Sequence, residues 1–163
     1  MAKVGFRNGV EYAAGITFDD AVNVLDDFNN WQSWVPVIEG GTTPGVGTYG
    51  GQTGSYMRIG NLVICSFNLQ YSAHTGTGDM VLTNLPFVVD NSTGGSFNLG
   101  CLVSAPTFTY PAGVTGLTVQ PQTGFARAFF SGYGDSTSVA AGFLQMQNVA
   151  TTIRGVAIFT VSS

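Results

Sequence analysis

Apolar and polar side chains alternate along residues 62–72: Val63, Cys65, Phe67, Leu69 and Tyr71 fall on one face, with Ser66, Asn68 and Gln70 on the other. Successive side chains of an extended chain point to opposite sides, so this period of two marks a strand with one buried face. Phe97, Leu99, Cys101 and Val103 repeat the pattern, which turns both cysteines of the chain inward, as small core residues in preference to a disulfide or a reactive thiol. Read the same way, strands are predicted over 31–38, 55–59, 62–72, 79–84, 96–103, 116–119, 125–131, 142–147 and 153–161. Gly and Pro punctuate them at Gly40-Gly41, Pro44-Gly45, Gly50-Gly51, Gly60-Asn61, Gly94-Gly95 and Pro111 to Gly113. Short strands in this number, with little helix between them, predict a mainly β fold: a jelly-roll-like antiparallel β-sandwich over residues 35–163.

Residues 1–34 follow a different pattern and are predicted to form a short N-terminal arm with one amphipathic helix. Thr17 precedes Asp19 and Asp20 as at a capped helix start, where carboxylates oppose the positive end of the helix dipole. Phe18, Ala21, Val22, Leu25 and Phe28 then recur at helical spacing, giving about three turns with one apolar stripe. Ahead of it, Val4, Phe6, Val10, Tyr12 and Ile16 interrupt a polar stretch. Trp31 and Trp34 stand at the entry to the sandwich, where large rings seal a core or a subunit contact, or stack on a sugar. With Phe18, Val22, Leu25 and Phe28 of the stripe, these are the candidate partner-docking residues, since such anchors dominate interface energies.

Only 9% of residues are charged, against about 25% in soluble domains, and they are unevenly placed. Residues 1–39 hold two cations, Lys3 and Arg7, against six carboxylates, whereas residues 40–163 hold Arg58, Arg127 and Arg154 against Asp79, Asp90 and Asp135. The whole net charge of −4 thus sits in the N-terminal quarter. Residues 40–163, with no net charge, have little to hold copies apart and favour association. The balance has the wrong sign for nucleic acid, whose binders cluster cations along the phosphates. No run approaches the roughly 18 apolar residues of a membrane span, and the start lacks the apolar core of a secretory signal. No nucleic-acid partner, membrane insertion or secretion is expected, and synthesis is expected in the cytoplasm.

Candidate chemistry is sparse. His74, the one histidine, lies in the polar stretch 72–76 and reads as a loop residue with no nucleophile beside it. Asp19-Asp20 and Asp26-Asp27 point to different azimuths of a helix, unlike a catalytic carboxylate pair. Asp79, Asp90 and Asp135 would hold a cation only if three loops converged. No serine elbow, phosphate loop or dinucleotide fingerprint occurs. No enzyme activity, cofactor or metal is expected.

Gly47-Thr48-Tyr49, the run QTGSYMRIGNLVICSFNLQYSA at 52–73 and GDMVLTNLPF at 78–87 resemble a recurring β-domain of bacteriophage structural proteins. In that domain a Tyr-x-Arg-Ile-Gly-Asn turn joins two strands and Leu-Pro-Phe follows the next; it is found at tail-fibre and tailspike ends and in small head-decorating proteins. The resemblance spans about residues 31–163 and is strongest over 52–87. It implies a homotrimeric, non-enzymatic virion component with a jelly-roll-like body. With about 30 residues ahead of the domain and no heptads, repeats or β-helix period to build a shaft, the implied role is capsid decoration. Such a cement protein is expected on the capsid surface of the virion after synthesis in the host cytoplasm, gripping the major capsid protein by the arm. The alternative is a tail-fibre or tailspike receptor-binding domain for host attachment, with a host surface glycan as partner.

Overall fold

The computed structural model describes residues 16–18, 23–25, 28–91, 101–103, 107–134 and 143–162. Among them run eleven strands and no helix: β1 (Ile16–Phe18), β2 (Asn23–Leu25), β3 (Phe28–Trp34), β4 (Val37–Gly40), β5 (Gly47–Ile59), β6 (Leu62–His74), β7 (Met80–Thr83), β8 (Cys101–Val103), β9 (Val114–Pro121), β10 (Ala128–Gly134) and β11 (Thr151–Thr160). Their ladders are antiparallel. β1 pairs with β2, while the others form a five-stranded sheet, ordered β4-β7-β10-β9-β8, and a four-stranded sheet, ordered β11-β6-β5-β3.

The alternation of β6 is what builds the core. Val63, Cys65, Phe67, Leu69 and Tyr71 are all buried, and Ile153, Ala157 and Phe159 of neighbouring β11 join them. Ile38, Met80, Leu82, Leu117, Val119, Ala128 and Phe130 of the five-stranded sheet belong to the same hydrophobic cluster. Phe67 of β6 meets Phe130 of β10 edge to face at 6.2 Å, so the contact runs from sheet to sheet. Each large side chain removed from water there contributes about 1.5–3 kcal/mol, which is what holds the two sheets against one another.

Two short connections fix the register. Ile59 pairs with Leu62, leaving Gly60-Asn61 as the whole β5–β6 turn. Gly60 takes φ +56, the first position of a II′ hairpin, which glycine enters without a Cβ clash. Between β3 and β4 the chain changes sheets across Val35-Pro36, so the strand predicted at 31–38 is two strands. Pro36 has no N–H to offer a ladder. The carbonyls stranded by the crossing are taken by side chains: Asn84 Nδ2 donates to Val35 O at 2.7 Å and Gln52 Nε2 to Pro36 O at 3.1 Å.

Several expectations are corrected. The predicted helix over 17–30 is extended wherever this stretch is described, as β1, β2 and the start of β3, with Ile16 paired to Leu25 and Thr17 to Val24. β-Branched Ile16, Thr17 and Val24 lose side-chain freedom in a helix, and three helical turns are marginal without a packing partner. Residues 19–22 and 26–27, which hold the expected carboxylates and Val22, lie outside the described residues. β3 pairs with β5, so residues 28–34 belong to the four-stranded sheet and the body starts before residue 35. The strand predicted at 142–147 is instead a pair of isolated bridges, Phe143 to Ser131 and Gln145 to Asp79. There Leu144 N–H donates to Phe130 O and Leu144 O accepts from Met80 N–H, so the segment wedges between β10 and β7 beyond their own two-residue ladder.

β5 is longer than the predicted 55–59: it runs through Gly50-Gly51, expected as a turn, and Gly54 serves close approach. At Gly54 a Cβ would overlap the indole Nε1 and Cε2 of Trp34. Gly54→Ala is expected to destabilise the protein by about 1–3 kcal/mol, read as a lower urea midpoint. In a Trp31→Phe background, the fluorescence of Trp34 should shift to the red as the ring is displaced.

Candidate functional site

Of the expected docking residues, Val4, Phe6, Val10, Tyr12 and Val22 lie outside the described residues, and Ile16, Phe18, Leu25 and Phe28 lie in β1, β2 and β3. The two tryptophans part company. Trp31 is 53% exposed, whereas Trp34 is 8% exposed and donates from Nε1 to Ser66 O at 3.1 Å. Residues three apart in a strand point to opposite faces, and a bulge between Asn29 and Gln32 accompanies the exposed ring. Trp34 is thus the ring that seals the core.

His74 is not a loop residue. It ends β6 with 4% of its surface exposed. Gly76 N–H donates to Nδ1 at 2.9 Å, which assigns the ring proton to Nε2, and Nε2 donates to Ile38 O at 3.0 Å. Tyr49 closes on the same residue: its hydroxyl accepts from Ile38 N–H at 2.9 Å and donates to Ile38 O at 3.1 Å. The rings of Tyr49 and Tyr71, and of Tyr71 and His74, meet edge to face. Both imidazole nitrogens are engaged by backbone, so the group is built to hold two sheets together. The inward turn of His74 arises at a bulge, where Tyr71 pairs with Tyr49 and Ala73 with Thr48, leaving Ser72 over. One extra residue reverses the alternation, and nothing in the local sequence announces it.

Among the described residues no three His, Cys, Asp or Glu side chains lie close enough to hold a metal ion. Burial pushes the Cys65 thiol up to about 12, so it stays protonated and unreactive at neutral pH.

The outer side of the five-stranded sheet presents a different arrangement. Phe125, Arg127 and Phe129 alternate along the approach to β10, and the Arg127 guanidinium lies 4.4 Å from the Phe125 ring centre and 5.6 Å from that of Phe129. Arg127 Nε–H donates to Gln122 Oε1. Phe143 stacks on Phe129 with ring centres 4.2 Å apart and planes at 23°. Phe125 and Phe143 stay 47% and 44% exposed. Beside the stack is a shallow concavity of about 330 Å³ lined by Gln120, Pro121, Gln122, Thr123, Phe129 and Phe143. Sequence periodicity finds this stretch only as the strand at 125–131. The available signal is its outward set, Phe-x-Arg-x-Phe, which places apolar rings where alternation calls for polar side chains. A second groove, of about 300 Å³, runs past Tyr49, Gln70, Ser72, Thr107 and Thr152 with no charged side chain in its wall.

Burial raises the pKa of Tyr49 and Tyr71 as well as Cys65. In all three the folded state favours the protonated form. Their contribution to stability is therefore complete below the unfolded-state pKa values, 9.0 for the thiol and 10.0 for the phenols, and is lost as pH rises through the folded values. Thermal unfolding is expected at falling temperatures from about pH 9 upward. Peptide mapping after iodoacetamide treatment at about pH 8 should find Cys65 modified only in the denatured protein. No protein-family model, no curated protein and no solved structure matches the chain.

Proposed function

We propose that this chain is a non-enzymatic structural protein of a bacteriophage virion, a capsid decoration protein that binds the major capsid protein as a homotrimer. The observation that supports it most is the motif Tyr56-Met57-Arg58-Ile59-Gly60-Asn61, the strongest part of the resemblance to phage β-domains. These residues make the β5–β6 turn, and Arg58 Nε–H closes it by donating to Gly60 O at 2.7 Å. In this reading the two sheets form a jelly-roll-like sandwich, which their single hydrophobic cluster supports. Self-association is favoured by a body whose three arginines balance three aspartates over residues 40–163. The N-terminal segment, with five of the chain's nine carboxylates against Lys3 and Arg7 and with the apolar anchors Val4, Phe6, Val10, Tyr12 and Ile16, is the gripping element. Three such segments on one trimer multiply avidity through effective concentration.

A second reading, a tail-fibre or tailspike domain for host attachment, is favoured by one observation: the exposed aromatic and guanidinium shelf of Phe125, Arg127 and Phe143. Light scattering of the purified protein should give about three times 17.0 kDa; a monomer at micromolar concentration would remove the trimer. Deleting residues 1–15, or replacing Phe6 and Tyr12 with Ala, should leave the assembly folded while abolishing or weakening its attachment to capsids. If labelled protein is found only at the tail tip of purified particles, the attachment reading replaces decoration.

A further inference from the structure

We propose that the shelf of Phe125, Arg127, Phe129 and Phe143 is a binding site for an acidic saccharide, a pyranose that bears a carboxylate. The inference goes beyond the virion reading, because the chemistry of the shelf is the same wherever the protein sits.

The cation comes first. Arg127 spends its Nε–H on a neutral acceptor, Gln122 Oε1, and no carboxylate among the described residues pairs with it. A guanidinium has five N–H donors, and among the described residues the Nε–H alone has a hydrogen-bond acceptor, which leaves the terminal amino groups available to a ligand. Two rings and one amide hold the group in place. Its fork is therefore pre-organised, and a planar carboxylate accepts from such a fork through two parallel hydrogen bonds.

The rings set the rest of the ligand. Phe129 and Phe143 make one stacked platform with Phe143 44% exposed, and such a surface takes the apolar C–H face of a pyranose. Gln120, Gln122 and Thr123 line the concavity beside it and supply donors and acceptors for ring hydroxyls. Its volume of about 330 Å³ suits a small ligand. A neutral sugar offers the guanidinium hydroxyl acceptors but no charge-assisted bidentate pair, and a simple carboxylate leaves the platform uncovered. A phosphodiester strand needs a track of cations, whereas this shelf offers one.

The test uses the intact protein and three probes: methyl β-glucuronide, methyl β-glucoside and acetate, with affinities read by titration of protein NMR signals. The glucuronide should bind at least roughly tenfold more tightly than either of the others, as expected for a charge-assisted pair added to a stacking face. Arg127→Gln should reduce glucuronide binding to the glucoside level, Arg127→Lys should restore it only in part, and Phe143→Ala should weaken both sugars. Val46→Ala, at an exposed position away from the shelf, should change nothing. Equal affinity for glucuronide and glucoside, no binding by the folded wild type, or an unaffected Arg127→Gln variant would each overturn the proposal. So would a Phe143→Ala variant that loses oligomeric mass while keeping sugar affinity, since the shelf would then be a contact between copies. None of these outcomes depends on capsids, so failure here is separable from failure of the decoration reading.

Discussion

A chain that moves from one sheet to another in two residues must find partners for the backbone groups it takes out of the ladders. Here the crossing at Val35-Pro36 delivers β4 to the edge of the five-stranded sheet, with β7 as its one neighbour. The backbone of Ile38 is then met by Tyr49 of β5 and His74 of β6, both from the four-stranded sheet, through three hydrogen bonds of 2.9 to 3.1 Å. The net gain from each is about 0.5–1.5 kcal/mol, but leaving such a group buried and unpaired costs about 1–3 kcal/mol. The tie is therefore more consequential for what its loss would expose than for what it adds. It also seats the Ile38 side chain in the core, so one residue takes part in both the polar and the apolar contacts between the sheets.

The loops behind that tie are packed to the limit of glycine geometry. Gly45 holds φ +70, and a Cβ there would collide with the backbone of Gly76. Thr43 and Thr77 bridge the two loops, and the Asn148 amide, with its nitrogen turned inward, donates to His74 O and Gly76 O at 3.0 and 3.1 Å. Backbone packed directly on backbone leaves little room for alternative arrangements, which is how a body with few charged contacts keeps one conformation at this end.

Periodicity made the interior strands legible. Val63 to Tyr71 in β6 and Ile153 to Phe159 in β11 are buried as alternation requires, because a core face leaves a direct imprint on a two-residue repeat. What escaped has a common cause in non-local geometry. His74 turned inward through a bulge set by pairing with β5, and Gly50-Gly51 reads as a turn although it lies within the β5 strand. The stretch at 17–30 satisfied a helical spacing by coincidence, while its β-branched residues favoured extended pairing. The two tryptophans separated for the same reason: they are three residues apart in one strand, yet Trp31, at the bulge, is exposed and Trp34 is buried.

The aromatic shelf was the least legible feature, and its construction shows why. Phe125, Arg127 and Phe129 are close in sequence, yet the platform needs Phe143, brought to β10 by a single bridge to Ser131. Folding alone gives small return for this arrangement, since rings left nearly half exposed recover only part of their transfer free energy. A cation held between rings at the surface contributes on the order of 0.5–1 kcal/mol. The supporting ladder is by contrast rigid: Phe129 is paired with Gln120 of β9 and with Val81 of β7. Paired strands presenting half-exposed rings and a guanidinium that no carboxylate among the described residues neutralises leave polar and aromatic groups where the core has no use for them, and that contrast is what separates the shelf from the His74 cluster, whose ring nitrogens are both spent on the fold.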